Sequence, residues 1–274
     1  PPCTSALIKA QVKKVIYSSI DTDPRTSNKS KKILSQKSII VKSGLLQKKS
    51  KKLYESYNYS KKKSIPYLTA KLACSKKLKI FNDKSQISNY YSKQATHVLR
   101  SQNQGILTTY KTINTDNPKL SCRINGKEKF SPLRIIIDKD LKIKKNSYVI
   151  SNKVPTIIFH SSNNKSKLNF LKSSGVKTYF VKKNKDNLLN ILDILKKIYQ
   201  LGITSVLVES GPIFLKHLLK LNIVKDFYLF KSDIIIPNTK KIDVYYIINL
   251  LKKIYKFHKN VNTYLDKDSL IHYY

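Results

Sequence analysis

The stretch Ser205-Val206-Leu207-Val208-Glu209-Ser210-Gly211-Pro212-Ile213-Phe214-Leu215 sets the reading of the whole chain. An apolar, β-branched run reads as a buried strand. It ends in a sharp turn, and a helix follows with proline at its first position, where the missing N–H costs nothing. The unpaired N–H groups of that first helical turn form a ready site for an anion such as a pyrophosphate. The same rhythm extends upstream. Strand patterns fall at Tyr67–Ala73, Gly105–Thr109, Leu133–Asp138, Thr156–His160, Val176–Val181, Thr204–Val208 and Asp226–Ile236, with a short terminal one at Leu270-Ile271-His272. Helical patterns fall at Tyr90–Gln102, Leu188–Leu201, Ile213–Leu221 and Val244–Tyr255. Strand alternating with helix predicts an α/β fold with a largely parallel sheet. In that class ligands bind beyond the carboxyl ends of the strands.

Before Pro66 the pattern is shorter. A helix, a strand at Val12–Ser19, a second helix and a strand at Ser38–Lys42 precede an amphipathic helix opening at Gly44, with Leu45, Leu46, Leu53 and Tyr57 near one face. Proline disfavours helix at its own position and just before it, so a boundary is expected there. The expected domains are 1–64 and 65–274.

The 274 residues carry a formal charge of +38, yet 41% of them are hydrophobic, enough for a packed core. Lysine far outnumbers arginine and is spread along the chain, a composition of the kind an AT-rich genome produces. Aromatic-interleaved RNA-binding signatures are missing, which argues against nucleic acid as the partner. A positive field would still draw in phosphorylated ligands. No apolar run is long enough to span a bilayer, and three scattered cysteines make no disulfide framework, so a cytoplasmic protein without a membrane partner is expected. The chain starts Pro1-Pro2-Cys3 and contains no methionine, which gives the expectation that it lacks its N-terminus.

Four segments together resemble the bifunctional deaminase/reductases of riboflavin biosynthesis. Pro1-Pro2-Cys3-Thr4 matches the end of that family's second zinc motif, which makes Cys3 the last of three protein ligands to zinc. The other ligands and the catalytic glutamate would lie upstream, so deamination of diaminohydroxyphosphoribosylaminopyrimidine is expected only with a complete deaminase half. Pro66-Tyr67-Leu68-Thr69-Ala70-Lys71-Leu72-Ala73-Cys74-Ser75 is similar to the strand that opens the reductase domain. Lys71 is then a catalytic residue beside substrate or nicotinamide, and Cys74 lies on the cofactor side. A lysine within an apolar strand is costly unless it meets an anion or a polar cavity. Leu99-Arg100, the strand Gly105-Ile106-Leu107-Thr108 and the run Thr112-Ile113-Asn114-Thr115-Asp116-Asn117-Pro118-Lys119-Leu120-Ser121-Cys122-Arg123 resemble the family's longest motif. Thr112 and Asp116, four apart, share one face of a helical turn. By resemblance they contact the cofactor, while Ser85, Arg100, Leu120 and Arg123 hold the substrate's ribose-phosphate side. Arginine suits that task through its bidentate fork. The opening stretch matches Val-Glu-Gly-Gly-Pro-x-Leu, which makes Glu209 the substrate-facing, catalytic carboxylate and places Gly211, Pro212 and Ile213 at the cofactor.

The resemblance implies an α/β protein with a dihydrofolate-reductase-like reductase domain, preceded by the C-terminal remnant of a cytidine-deaminase-like α/β domain. It implies NADPH-dependent reduction of a small phosphorylated pyrimidine, 5-amino-6-(5-phosphoribosylamino)uracil, and a homo-oligomer. Some family residues differ here. Lys76-Lys77-Leu78 stands for Leu-Asp-Gly, Thr109-Tyr110-Lys111 for a glycine-rich turn, Ser210 for a glycine, and the tryptophan near Ser85 is lost. A catalytically weakened member and, from charge alone, an RNA-associated protein therefore stay open as alternatives. His97, His160 and His217 show no metal spacing and read as structural or surface residues. Cys74 and Cys122 read as small strand residues rather than metal ligands.

Overall fold

The computed structural model describes residues 2–23, 27–81, 87–150, 154–236 and 241–274, and divides into two compact units, Pro1–Ile65 and Pro66–Tyr274. The first unit runs α1 (Cys3–Lys9), β1 (Lys14–Tyr17), α2 (Lys29–Ser35), β2 (Ile40–Ser43), α3 (Gln47–Leu53) and α4 (Glu55–Lys63). Strands β1 and β2 pair in parallel, from Lys14 opposite Ile40 to Tyr17 opposite Ser43. The single amphipathic helix expected from Gly44 is two short helices instead. Leu46 adopts a left-handed φ of 54° just before α3, Tyr54 interrupts the run at φ −97°, and Leu45, Leu46 and Leu53 are exposed. Their spacing mimics an apolar face, but that face is not buried.

The second unit continues with β3 (Tyr67–Ser75), β4 (Lys79–Phe81), α5 (Tyr90–Ser101), β5 (Gly105–Thr109), α6 (Tyr110–Asp116), β6 (Leu133–Ile137), β7 (Thr156–His160), α7 (Lys165–Ser173) and β8 (Lys177–Phe180). After these come α8 (Ile191–Gln200), β9 (Ser205–Glu209), α9 (Pro212–Lys220), β10 (Val224–Ser232), β11 (Lys241–Asp243), α10 (Tyr245–Ile254), β12 (His258–Asn260) and β13 (Ser269–Tyr273). Among the described residues these strands build one nine-stranded sheet in the order β12-β13-β10-β3-β9-β5-β6-β7-β8, with β4 and β11 as a separate antiparallel pair. The sheet is mixed: β13 runs antiparallel to β10 and β12, and the other pairings are parallel.

Burial follows from this layout. Central parallel strands are covered on both faces and need continuous apolar runs rather than alternation. All five residues of β7 are buried, as are the first four of β5 and Val206, Leu207 and Val208 in β9. Gly105 opens β5 because a Cβ there would lie 2.8 Å from Ile135 Cδ1 and 3.2 Å from Val206 Cγ2. Asparagine caps three of the helices: Asn89, Asn164 and Asn190 accept backbone N–H groups in the first turns of α5, α7 and α8.

The chain leaves β3 for β5, moves outward to β8, and then returns to insert β9 between β3 and β5. That reversal brings the end of β9 beside the middle of β3. Lys71 and Glu209 are direct partners in the β3–β9 register. Such a reversal leaves a crevice at the carboxyl ends, the usual ligand site of an open α/β sheet.

Candidate active site

A cleft of about 700 Å³ opens beside β3 and beyond the ends of β5 and β9, a volume suited to a small-molecule ligand. Lys71, Arg100, Thr112, Asp116, Leu120, Arg123, Glu209, Gly211 and Pro212 all line it. Residues far apart in the chain, from Lys71 to Pro212 at the start of α9, thus share one cavity.

Each element delivers its side chain for a local reason. β3 is buried throughout except at Lys71 and Ala73, which face the cleft. Helix α6 carries Thr112 and Asp116 one turn apart and then stops: Asn117 takes a left-handed φ of 43° and Pro118 follows. Leu120 also adopts a left-handed φ, 52°, which costs a leucine about 1–2 kcal/mol. Its side chain is only 2% exposed in the core, so packing holds the strained turn that leads to Arg123.

The centre of the site is an ion pair. Arg100 donates from Nε to Glu209 Oε1 at 2.7 Å and from Nη2 to Glu209 Oε2 at 3.0 Å, and its Nη1 donates to the Ser121 carbonyl at 3.2 Å. Both side chains are nearly buried, at 11% and 13% exposure. Burial alone would raise the Glu209 pKa. The charge and hydrogen bonds of Arg100, with Lys71 and His97, outweigh it and hold the carboxyl below its ordinary range. The reverse holds for Lys71. Burial pushes its ammonium down, the attraction of Glu209 does not cancel that, and Arg100 adds to it.

The Arg100 fork, at the cleft wall, grips Glu209 and the Ser121 backbone, the carboxylate being delivered by β9. Arg123 is exposed at the mouth of the cleft. Cys74 does not line the cleft. It is fully buried, and burial pushes its thiol up to about 11. Ile213 is 77% exposed and does not line it either; only its backbone N–H, in the first turn of α9, points to the anion role. Ser85 lies outside the described residues. Cys3 belongs to the first unit and is exposed. Among the described residues no group of three or more His, Cys, Asp or Glu could hold a metal ion.

Lys93, His97, Lys111 and Lys119 line the cleft and were not foreseen as site residues. His97 lies three residues before Arg100 on α5, and Lys93 seven before, so both share its helical face. That spacing was the available signal. The His97 imidazole is pushed down to about 4, first by burial and then by Arg100 and Arg123. The unfolded chain takes up that proton near 6.5. Stability is therefore fully present above this value and is lost as the pH falls toward 4. Glu209 acts in the same sense lower down, contributing above the ordinary value of 4.5 and losing that contribution as the pH falls through its depressed pKa. The urea midpoint is expected to drop between about pH 7 and about pH 5, and to drop less in His97→Asn. An equal drop in both proteins would place the titration elsewhere.

The site departs from the family pattern in a coordinated way. Thr109 ends β5, Ser210 follows β9, and their hydroxyl oxygens lie 3.5 Å apart. At Gly211, which has an ordinary φ of −63°, a Cβ would meet nothing within 4 Å. The turn before α9 therefore has open space for close approach by a ligand.

Comparisons with known proteins bear on the lineage and the fold. The model of the RibD C-terminal domain matches residues 66–238. The Riboflavin biosynthesis protein RibD of Aquifex aeolicus is 31% identical over 224 residues, covering 80% of this chain and 61% of its own length. The chain thus spans less than two thirds of that relative. Among solved structures, Acinetobacter baumannii RibD superposes with a TM-score of 0.82 at 21% identity, over 100% of this chain and 75% of that one. The Thermotoga maritima diaminohydroxyphosphoribosylaminopyrimidine deaminase/5-amino-6-(5-phosphoribosylamino)uracil reductase does so with a TM-score of 0.79 at 24% identity, over 99% and 74%. These structures speak for the fold, and the domain match and the Aquifex relative speak for the lineage: the chain belongs to the RibD C-terminal domain family.

Proposed function

We propose that the chain acts in riboflavin biosynthesis as an NADPH-dependent reductase of 5-amino-6-(5-phosphoribosylamino)uracil. The observation that supports this most is the charge of the cleft. Lys71, Lys93, Arg100, Lys111, Lys119 and Arg123 line it against Asp116 and Glu209. A cavity with that excess of cations favours anionic ligands, and both the phosphorylated substrate and NADPH are anionic.

The residues suit the cofactor. The first turn of α9 offers N–H groups, Thr109 and Ser210 offer hydroxyls, and the space above Gly211 is open. When bound, NADPH supplies the hydride that reduces C1′ of the ring-opened sugar. With the cofactor bound, the C=N π bond of the open-chain imine would break as C1′ is reduced, and the attached nitrogen would take a proton. Lys71 holds a proton at Nζ for that nitrogen, and its burial makes the ammonium readier to release it. Glu209, fixed by both arms of the Arg100 fork, stabilises the charged Lys71 opposite it. Arg123 at the mouth takes the phosphate. The protein aligns the reactants and the cofactor carries the redox chemistry. No step is assigned to zinc.

The test is steady-state NADPH oxidation by the chain with this substrate. Saturable turnover yielding one ribitylamino product per NADPH consumed is expected. Folded protein that binds NADPH yet leaves it unoxidised would count against the reading.

A further inference from the structure

His97 is the one imidazole on the cleft-facing side of α5, and its surroundings give it a specific task. The segment Ser121–Arg123 lies in no helix or strand and is tied to α5 by groups from two of its residues. Arg100 Nη1 donates to the Ser121 carbonyl. The Cys122 thiol donates to the His97 carbonyl at 3.6 Å, and Cys122 is buried. The Arg123 N–H donates to His97 Nδ1 at 3.3 Å, and the ring also interacts with the Ser121 backbone. Behind this segment the Cys122 N–H donates to Ser131 Oγ at 3.1 Å.

An Nδ1 that accepts an N–H cannot itself carry a proton, so the bond requires an imidazole unprotonated at that atom. The charges facing the ring agree: Arg100 from α5 and Arg123 from the segment itself disfavour a third cation, against the single carboxylate of Glu209 from β9. His97 is 5% exposed, so water does not compete freely for this bond. Arg100 is already committed to Glu209. That leaves Arg123, exposed at the mouth, as the arginine of the pair whose guanidinium faces outward, and its backbone is fixed by His97.

We propose that His97 is a positioning residue for anion recognition: by accepting the Arg123 N–H it holds the guanidinium where a phosphate monoester of the ligand enters. This rests on the reductase reading only in naming the ligand as the phosphorylated substrate. The recognition of a sugar phosphate can be tested without turnover. One helix thus serves both ends of the cleft, with Arg100 bracing the carboxylate at the reacting end and His97 bracing the arginine at the phosphate end.

The experiment titrates the full chain with ribose 5-phosphate by calorimetry, in wild type, Arg123→Ala, His97→Leu, His97→Asn and the double variant His97→Leu/Arg123→Ala. Asparagine can present Oδ1 where Nδ1 stood, whereas leucine cannot accept. His97→Leu and Arg123→Ala are each expected to weaken binding about tenfold or more, consistent with loss of a charge-assisted bond. His97→Asn should return to within about threefold of wild type, and the double variant should bind no more weakly than Arg123→Ala, because both act through one group. In turnover, His97→Leu should raise KM for the phosphorylated substrate while changing kcat little. Wild-type binding by His97→Leu, failure of His97→Asn to rescue at equal thermal stability, or no saturable binding by wild type overturns the proposal. If the binding pattern holds but NADPH is not oxidised, the reductase reading fails and the positioning role stands. If turnover occurs and His97→Leu leaves KM unchanged, the reductase reading stands and the positioning role fails.

Discussion

Replacing Lys71 with methionine is expected to lower turnover by about 10²-fold or more, the usual scale for losing a positioned acid or base. The prediction comes from placement. Lys71 interrupts an otherwise buried strand, lines the cleft, and lies opposite Glu209 in the sheet register. Its ammonium also lies 5.3 Å from the Phe230 ring, so part of its surroundings is apolar. A lysine in such a strand is costly in folding terms, and methionine keeps the length while removing the charge. The urea midpoint of Lys71→Met should accordingly match or exceed that of wild type, and NADPH affinity should stay within a few-fold. Activity within threefold of wild type would remove Lys71 from the mechanism. Lost activity with an unchanged midpoint would separate a chemical role from a structural one.

Arg100→Leu is expected to destabilise the fold by about 3–5 kcal/mol, the cost of leaving one member of a buried ion pair uncompensated. Glu209 would keep its charge in a nearly dry site with Lys71 as the remaining cation to offset it. The Ser121 carbonyl would lose a donor as well. Two further results distinguish this account from a simple packing defect. Adding Glu209→Leu should recover much of the lost stability, because the double variant buries no charge at the pair. The defect of the single variant should also shrink at acid pH, where the Glu209 carboxyl, released from Arg100, accepts a proton more easily. Denaturant midpoints of the four proteins at two pH values measure both effects. Additive losses in the double variant would contradict the pairing.

The fold was legible where sequence pattern and burial follow the same rule. The strand-turn-helix at Ser205–Leu215 reads correctly because a central parallel strand must be apolar throughout and a helix tolerates proline only at its start. The short β4, β11 and β12 did not announce themselves, since three residues carry no period. Helix α7 was missed because KSKLNFLKS is dominated by polar side chains and buries Leu171 alone. In the first unit Leu45, Leu46 and Leu53 imitated an amphipathic face that the structure leaves exposed.

The site was legible in its membership more than in its wiring. Residue types at motif spacing brought Lys71, Thr112, Asp116 and Glu209 to one cleft. Spacing could not say that Arg100 pairs with Glu209, because that depends on β9 being inserted between β3 and β5. The same insertion brings Ser210 beside Thr109, two substitutions at separate motifs that meet across the sheet. His97 was readable in principle, three residues before Arg100 on one helix, but a lone histidine carries no signal until the loop it braces is known. No helix among the described residues is long and apolar enough to cross a membrane.

The proposed activity is the reduction, in this cleft, of a phosphorylated sugar attached to a pyrimidine, with hydride from NADPH. The most direct test is to supply the chain with 5-amino-6-(5-phosphoribosylamino)uracil and NADPH deuterated at the transferable position, then to locate the label by NMR and mass spectrometry. The account predicts one deuterium at C1′ of the ribityl product, formed in step with NADPH consumed and lost in Lys71→Met. Product without label, or NADPH consumed without reduction of the sugar, would contradict it.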